Sequence, residues 1–371
     1  MKRGISLLLV LGLVLLSACT SSAEQSTLQS SATVETPMPT GEGAVRTLRV
    51  MTHDSFDIGE EVLGQFEAQH NVRVEILQAG DAGVVLNQAI LSADNPMADV
   101  LYGVDNTLLS RALNADIFEP YSSPLLSQIP GDLALDPEHR VLPVDYGDVC
   151  LNYDKAWFEE HGLTPPTSLD DLVREDYRAL TVVENAASSS PGLAFMLATI
   201  GRYGESGDYT WLDYWADLRD NDVLIVEGWE DAYWGQFTYG SGGEGDRPIV
   251  VSYASSPPVE VLFAEEELDE APTAALIADD TCFRQVEFVG ILRGTENRDL
   301  AEAWIDAMLD TAFQEDIPLH MFMFPANQNA QLPQVFVDFA TIAERPVSID
   351  YVAIEANRET WLSDWTAVAL Q

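Results

Sequence analysis

Thr47-Leu48-Arg49-Val50-Met51, Val72-Arg73-Val74-Glu75-Ile76-Leu77 and Asp99-Val100-Leu101-Tyr102 are three short strand-like runs with two helical patterns between them. Ile58 to Gln69 puts Ile58, Val62, Leu63 and Phe66 on one helical face, and Gly83 to Leu91 can coil in the same way. The alternation at Val72–Leu77 predicts a strand with one covered face. Strand and helix alternating in this order predict a mainly parallel sheet covered by helices. Such sheets bind ligands at the carboxyl ends of their strands. Asp54-Ser55, Asp81 and Asp105-Asn106 follow the three strands in turn. Any one of them could be a helix N-cap; three at successive strand exits point to a site.

A second α/β unit spans about 150–275 on the same reasoning, with Val223–Val226 and Ile249–Tyr253 as its clearest strands. Asp299 to Phe313 predicts one amphipathic helix, with Leu300, Ala303, Trp304, Ala307 and Met308 inward. Trp361 and Trp365, four apart, predict a helix packed on a lobe surface. The fold class is therefore α/β: two lobes, each a mainly parallel sheet covered by helices, with a ligand cleft between them. Lobe 1 is read as 46–143 plus about 280–325, and lobe 2 as about 147–275 plus about 330–371.

The first 45 residues read differently. Lys2 and Arg3 precede the apolar run Leu7 to Leu16, which is too short to span ~30 Å of hydrocarbon. It ends in Leu16-Ser17-Ala18-Cys19, which resembles a bacterial lipobox, so residues 1–19 are expected to be a lipoprotein signal with Cys19 lipidated. Residues 20–45 are rich in Ser, Thr, Gly, Pro and Glu and read as a flexible tether. The expectation is an extracytoplasmic, monomeric protein held to the membrane by its lipid alone.

The chain of 371 residues carries 61 acidic and 18 basic side chains, a formal charge of −43. Lysine occurs only at Lys2 and Lys155, which argues against a nucleic-acid partner. The charge favours approach of cationic small molecules. No CxxC metal spacing, HExxH, GxSxG or P-loop pattern is present, so no metal, cofactor or catalytic residue is expected. Beyond the lipobox only Cys150 and Cys282 remain. In an exported chain they are expected to pair; two buried free thiols are the alternative.

Further segments join these in a collinear series. They are Thr52-His53-Asp54-Ser55-Phe56, Gly103-Val104-Asp105-Asn106-Thr107, Pro143-Val144-Asp145-Tyr146-Gly147, Ser189-Ser190-Pro191-Gly192-Leu193, Glu227-Gly228-Trp229-Glu230-Asp231-Ala232-Tyr233, Ser252-Tyr253-Ala254-Ser255-Ser256-Pro257 and Trp361-Leu362-Ser363-Asp364-Trp365. From about residue 47 to 368 this series resembles the periplasmic thiamine-binding proteins of ABC transporters. The resemblance implies the two-lobed type II periplasmic-binding-protein fold, capture of thiamine with extension to its phosphates, and delivery to permease subunits. It also implies ligand contacts at Asp81, Ala82, Ser189, Ser190, Trp229, Tyr253, Ala254, Ser255 and Ser256.

The chemistry agrees with that implication. Thiamine is a cation with two flat rings, and indole or phenol faces attract cations by ~0.5–2 kcal/mol. A buried acid such as Asp81 can balance the charge. Ser at the N-cap followed by Pro starts a helix whose free amides suit an anion or hydroxyl. The departures from the family pattern make the box thinner and more acidic. His53 replaces a Tyr, Ala82 a Gly, Val259 an aromatic, Phe322 a Trp and Glu227 a Lys. Two contacts of altered character, His53 and Phe322, complete the expected site. Rival readings are a polyamine, a thiamine-pyrimidine precursor, or a thiaminase-I-like enzyme using Cys150. The apolar, acid-flanked setting Asp148-Val149-Cys150-Leu151 does not suit a reactive thiolate.

Overall fold

The computed structural model describes residues 45–264, 266 and 268–371. The signal segment 1–19, the lipobox Cys19 and all of the 20–45 tether except Val45 lie outside the described residues. Among the described residues no helix is long and apolar enough to cross a membrane.

The chain runs β1 (Arg46–Thr52), α1 (Glu60–His70), β2 (Val72–Gln78), α2 (Ala82–Leu91), β3 (Val100–Asp105) and α3 (Leu109–Asn114). After β4 (Phe118–Glu119) and β5 (Leu142–Asp154) come α4 (Lys155–His161), β6 (Thr181–Glu184), α5 (Ser190–Tyr203), α6 (Trp211–Asp220), β7 (Leu224–Val226) and β8 (Ile249–Tyr253). Then follow α7 (Pro257–Leu262), β9 (Thr273–Leu276), β10 (Phe283–Leu292), α8 (Arg298–Leu309) and β11 (Phe324–Pro325), with a last helix at Tyr351–Ala369. β1 pairs in parallel with β2 and β3, and β6 with β7 and β8. Central β3 is buried throughout, whereas edge strand β2 alternates, which is why β2, unlike β3, carries Arg73 and Glu75 at exposed positions.

Two long antiparallel strands join these parallel groups, in the order β2-β1-β3-β10-β5-β8-β6-β7. β10 pairs with β3 and with the first part of β5, while the second part of β5 pairs with β8 and β9. Both crossing strands thus belong to both halves of the sheet. Cys150 on β5 and Cys282, just before β10, form a disulfide with their Cα atoms 4.5 Å apart. Cys150 and Cys282 are fully buried.

The last third departs from its predicted helix. α8 stops at Leu309, and Asp310 turns extended (φ −75°, ψ 152°) before a short turn at Thr311–Gln314. Aspartate favours such terminal conformations over a helix interior. Trp361 and Trp365 are buried, and Trp365 meets Trp215 of α6 edge-on at 5.4 Å.

Candidate functional site

One cavity collects most of the predicted residues. It is lined by His53, Asp54 and Ser55 after β1, Asp81 and Ala82 at α2, and Ser190 and Pro191 at α5. Trp229, Glu230, Tyr233 and Trp234 after β7, Tyr253 and Ser256 at β8–α7, Glu287 of β10 and Phe322 complete most of the wall. The cavity volume is about 150 Å³, roughly tenfold what one water needs.

Asp81 holds the N-cap position of α2, but its side chain does not cap that helix. Its Oδ1 instead accepts from the Ser190 amide at 3.0 Å, at the first turn of α5. Burial pushes Asp81 up to about 6, against the Ser190 amide and His53, which hold it down.

His53 fits where Gly103 has no side chain. Gly103 has φ +96°, and a Cβ there would stand 2.3 Å from the His53 ring. His53 Nε2 lies 3.6 Å from Glu287 Oε2. Burial opposes charge on His53, but Glu287, Asp81 and Asp54 outweigh it, so its pKa is raised. Behind Glu287, Tyr102 Oη stands between Glu287 Oε2 (2.7 Å) and Asp145 Oδ2. Burial and Glu287 push Asp145 well above the carboxylate range; Glu287, despite its burial, is lowered by His53 and Tyr102. Of these two carboxyls on the crossing strands, Glu287, beside the His53 imidazole, is the one whose charged form its surroundings favour.

The aromatic wall is built on the turn after β7. Trp229 donates from Nε1 to Ser252 Oγ at 2.9 Å and stacks on Tyr233 at 4.9 Å and 18°. Tyr233 Oη is anchored by Glu260. Trp234 stands edge-on to both rings and is 38% exposed. Tyr233 and Trp234 were not among the expected contacts, yet with Trp229 they fall at i, i+4 and i+5. That spacing places them on one face of a helical turn, and here the turn is the wide one at Asp231–Gln236. Tyr253 donates to Gln285 Oε1 at 2.9 Å. Gly147 makes room for it: a Cβ there would lie 2.9 Å from both the Tyr253 ring and Met323. Phe322 adopts φ +57° and meets Phe263 edge-on at 6.0 Å.

The remaining predicted residues lie elsewhere. Ser189 is the buried N-cap of α5, Ala254 packs beside the disulfide, and Ser255 is fully buried; none lines the cavity. Asp105 and Asn106 do not line it either. Asp105 accepts from Thr107 and Gln285, and Asn106 pairs with the backbone of Arg284 and Val286. Val259, at the place where an aromatic was expected, does line the cavity. The charged lining groups are Asp54, Asp81, Glu230 and Glu287 against the imidazoles of His53 and His320. Among the described lining residues none is Lys or Arg.

An aromatic and acidic cavity, reached from both halves of a mixed sheet, defines a protein that holds a small solute. Residues 95–338 match the family described as bacterial extracellular solute-binding protein, and the chain belongs to that family. It is similar to the thiamine-binding periplasmic protein of Salmonella typhimurium strain LT2, 29% identical over 325 residues, 86% of this chain and 92% of the relative. The same figures hold for the thiamine-binding periplasmic protein of Escherichia coli strain K12. A solved periplasmic thiamin binding protein superposes with a TM-score of 0.74 at 27% identity, covering 89% of this chain and 98% of that one. The fold is thus the type II periplasmic-binding-protein fold, and the chain is an extracytoplasmic binding protein, not an enzyme.

Proposed function

We propose that this protein captures thiamine outside the cytoplasm and hands it to the permease subunits of an ABC transporter, as a monomer tethered by a lipid on Cys19. The observation that carries the reading is the pairing in one cavity of a Trp229–Tyr233–Trp234 wall with Asp81 and Glu287. Flat aromatic faces suit two heteroaromatic rings, and buried acids suit the thiazolium charge. The named relatives support the same ligand. A linear polyamine would meet the acids but leave the indole and phenol faces without a ring to stack on.

The ligand bridges lobe 1 (46–143 and about 280–325) and lobe 2 (about 147–275 and about 330–371), and closure follows from its better fit to the closed form. Asp81, Ala82, Ser190, Trp229, Tyr253, Ser256, Phe322 and His53 are the contacts that line the cavity. Ser189, Ala254 and Ser255 support them from behind.

Isothermal titration with thiamine, spermidine and putrescine tests this reading. Thiamine is expected to bind tightest, and preference for a polyamine would overturn it. The thiamine affinity should also rise with pH. Below about 6 Asp81 takes up a proton and loses its attraction for the cation, while His53, raised by its acidic neighbours, still carries a repelling charge. Both effects act in the same direction, so binding at pH 8 should be about tenfold tighter than at pH 5. A flat profile would show that neither group faces the cation.

A further inference from the structure

We propose that the cavity discriminates against phosphate esters of its cationic ligand and takes the free alcohol; this rests on the thiamine reading above. A phosphate would be expected at the N-terminus of α5, a 14-residue helix whose first two residues, Ser190 and Pro191, line the cavity. That position is filled from within. Asp81 Oδ1 already accepts the Ser190 N–H, and Pro191 next to it has no N–H to give. Gly192 is pressed against the backbone of Glu184 and Asn185, where a Cβ would meet the Glu184 carbonyl at 2.7 Å.

Two of the hydroxyls that line the cavity have partners as well. Ser190 Oγ accepts from Gln285 Nε2 at 2.8 Å, and Ser256 Oγ pairs with Ser252 Oγ at 2.8 Å. The two imidazoles face carboxylates: His53 Nε2 lies 3.6 Å from Glu287, within ion-pair range but without a hydrogen bond, and His320 is paired with Asp57 and Asp316. A phosphate dianion would have to displace Asp81 and then stand among carboxylates without a Lys or Arg counter-ion. Desolvating an unpaired anion there is strongly unfavourable. A neutral hydroxyl meets no such barrier and can donate to a carboxylate.

The test is calorimetry of the purified protein at pH 8 with thiamine, thiamine monophosphate and thiamine diphosphate. Both esters are expected to bind at least about tenfold more weakly than thiamine, the direction set by like-charge repulsion at short range. An ester within tenfold of thiamine overturns the discrimination and leaves the thiamine reading standing; binding of none of the three overturns both. Asp81→Asn, which keeps the shape and removes the charge, should weaken thiamine and narrow the gap to the monophosphate. An unchanged ratio of the two constants would remove Asp81 from the discrimination.

Discussion

Trp229→Ala is expected to weaken thiamine binding at least about tenfold, through loss of an indole face worth ~0.5–2 kcal/mol to a cation plus its buried apolar area. The loss extends beyond one ring. Trp229 is the plate on which Tyr233 stacks, and its Nε1 ties the turn after β7 to Ser252. Trp229→Phe keeps a flat face but drops the anchor to Ser252, so an intermediate loss is expected. Calorimetry of both variants checks the order wild type, Phe, Ala. A dissociation constant unchanged in Trp229→Ala would take the residue out of the site.

Replacing Cys150 and Cys282 together by Ala should lower the unfolding free energy by about 2–5 kcal/mol. The bridge spans 132 positions, and for a closure of that length the chain-entropy model gives a ceiling near ~5 kcal/mol. The two sulfurs also sit in a fully buried cluster with Ala254 and Ala343. Guanidinium unfolding of the variant, and of the wild type with and without reductant, measures the effect. A midpoint that does not move in either experiment would show that the bridge restrains little of the unfolded chain.

Much of the stretch from β1 to β3 was legible because its strands and helices carry clean local patterns. The alternation of Val72–Leu77 and the apolar stripe at Val62, Leu63 and Phe66 need no tertiary information. The crossing strands were less visible. β5 is 13 residues long and changes partner part-way along, and no local periodicity encodes a change of partner. For the site, position at a strand exit singled out Asp81, and the family resemblance added Trp229 and Tyr253; all three line the cavity. Neither signal could tell which neighbours would turn away. Ala254 and Ser255 follow Tyr253 directly, yet the chain bends there into the core beside the disulfide. Glu287 was missed because its role depends on β10 pairing with both β3 and β5, placing it opposite Asp105 and Asp145 at once. Asp81 raised the question of cap or contact in the sequence. The structure gives it the cap's backbone position and a side-chain bond to a different helix.

Gly103 and Gly147 shape this pocket by carrying no side chain. One leaves space for an imidazole, the other for a phenol ring. Neither lines the cavity, yet an alanine at either position would clash with a wall residue and displace it. A mutational survey scored only by uptake would therefore mark both as if they touched the solute, and a drug or biosensor design that filled those two hollows would deform the recess it meant to preserve.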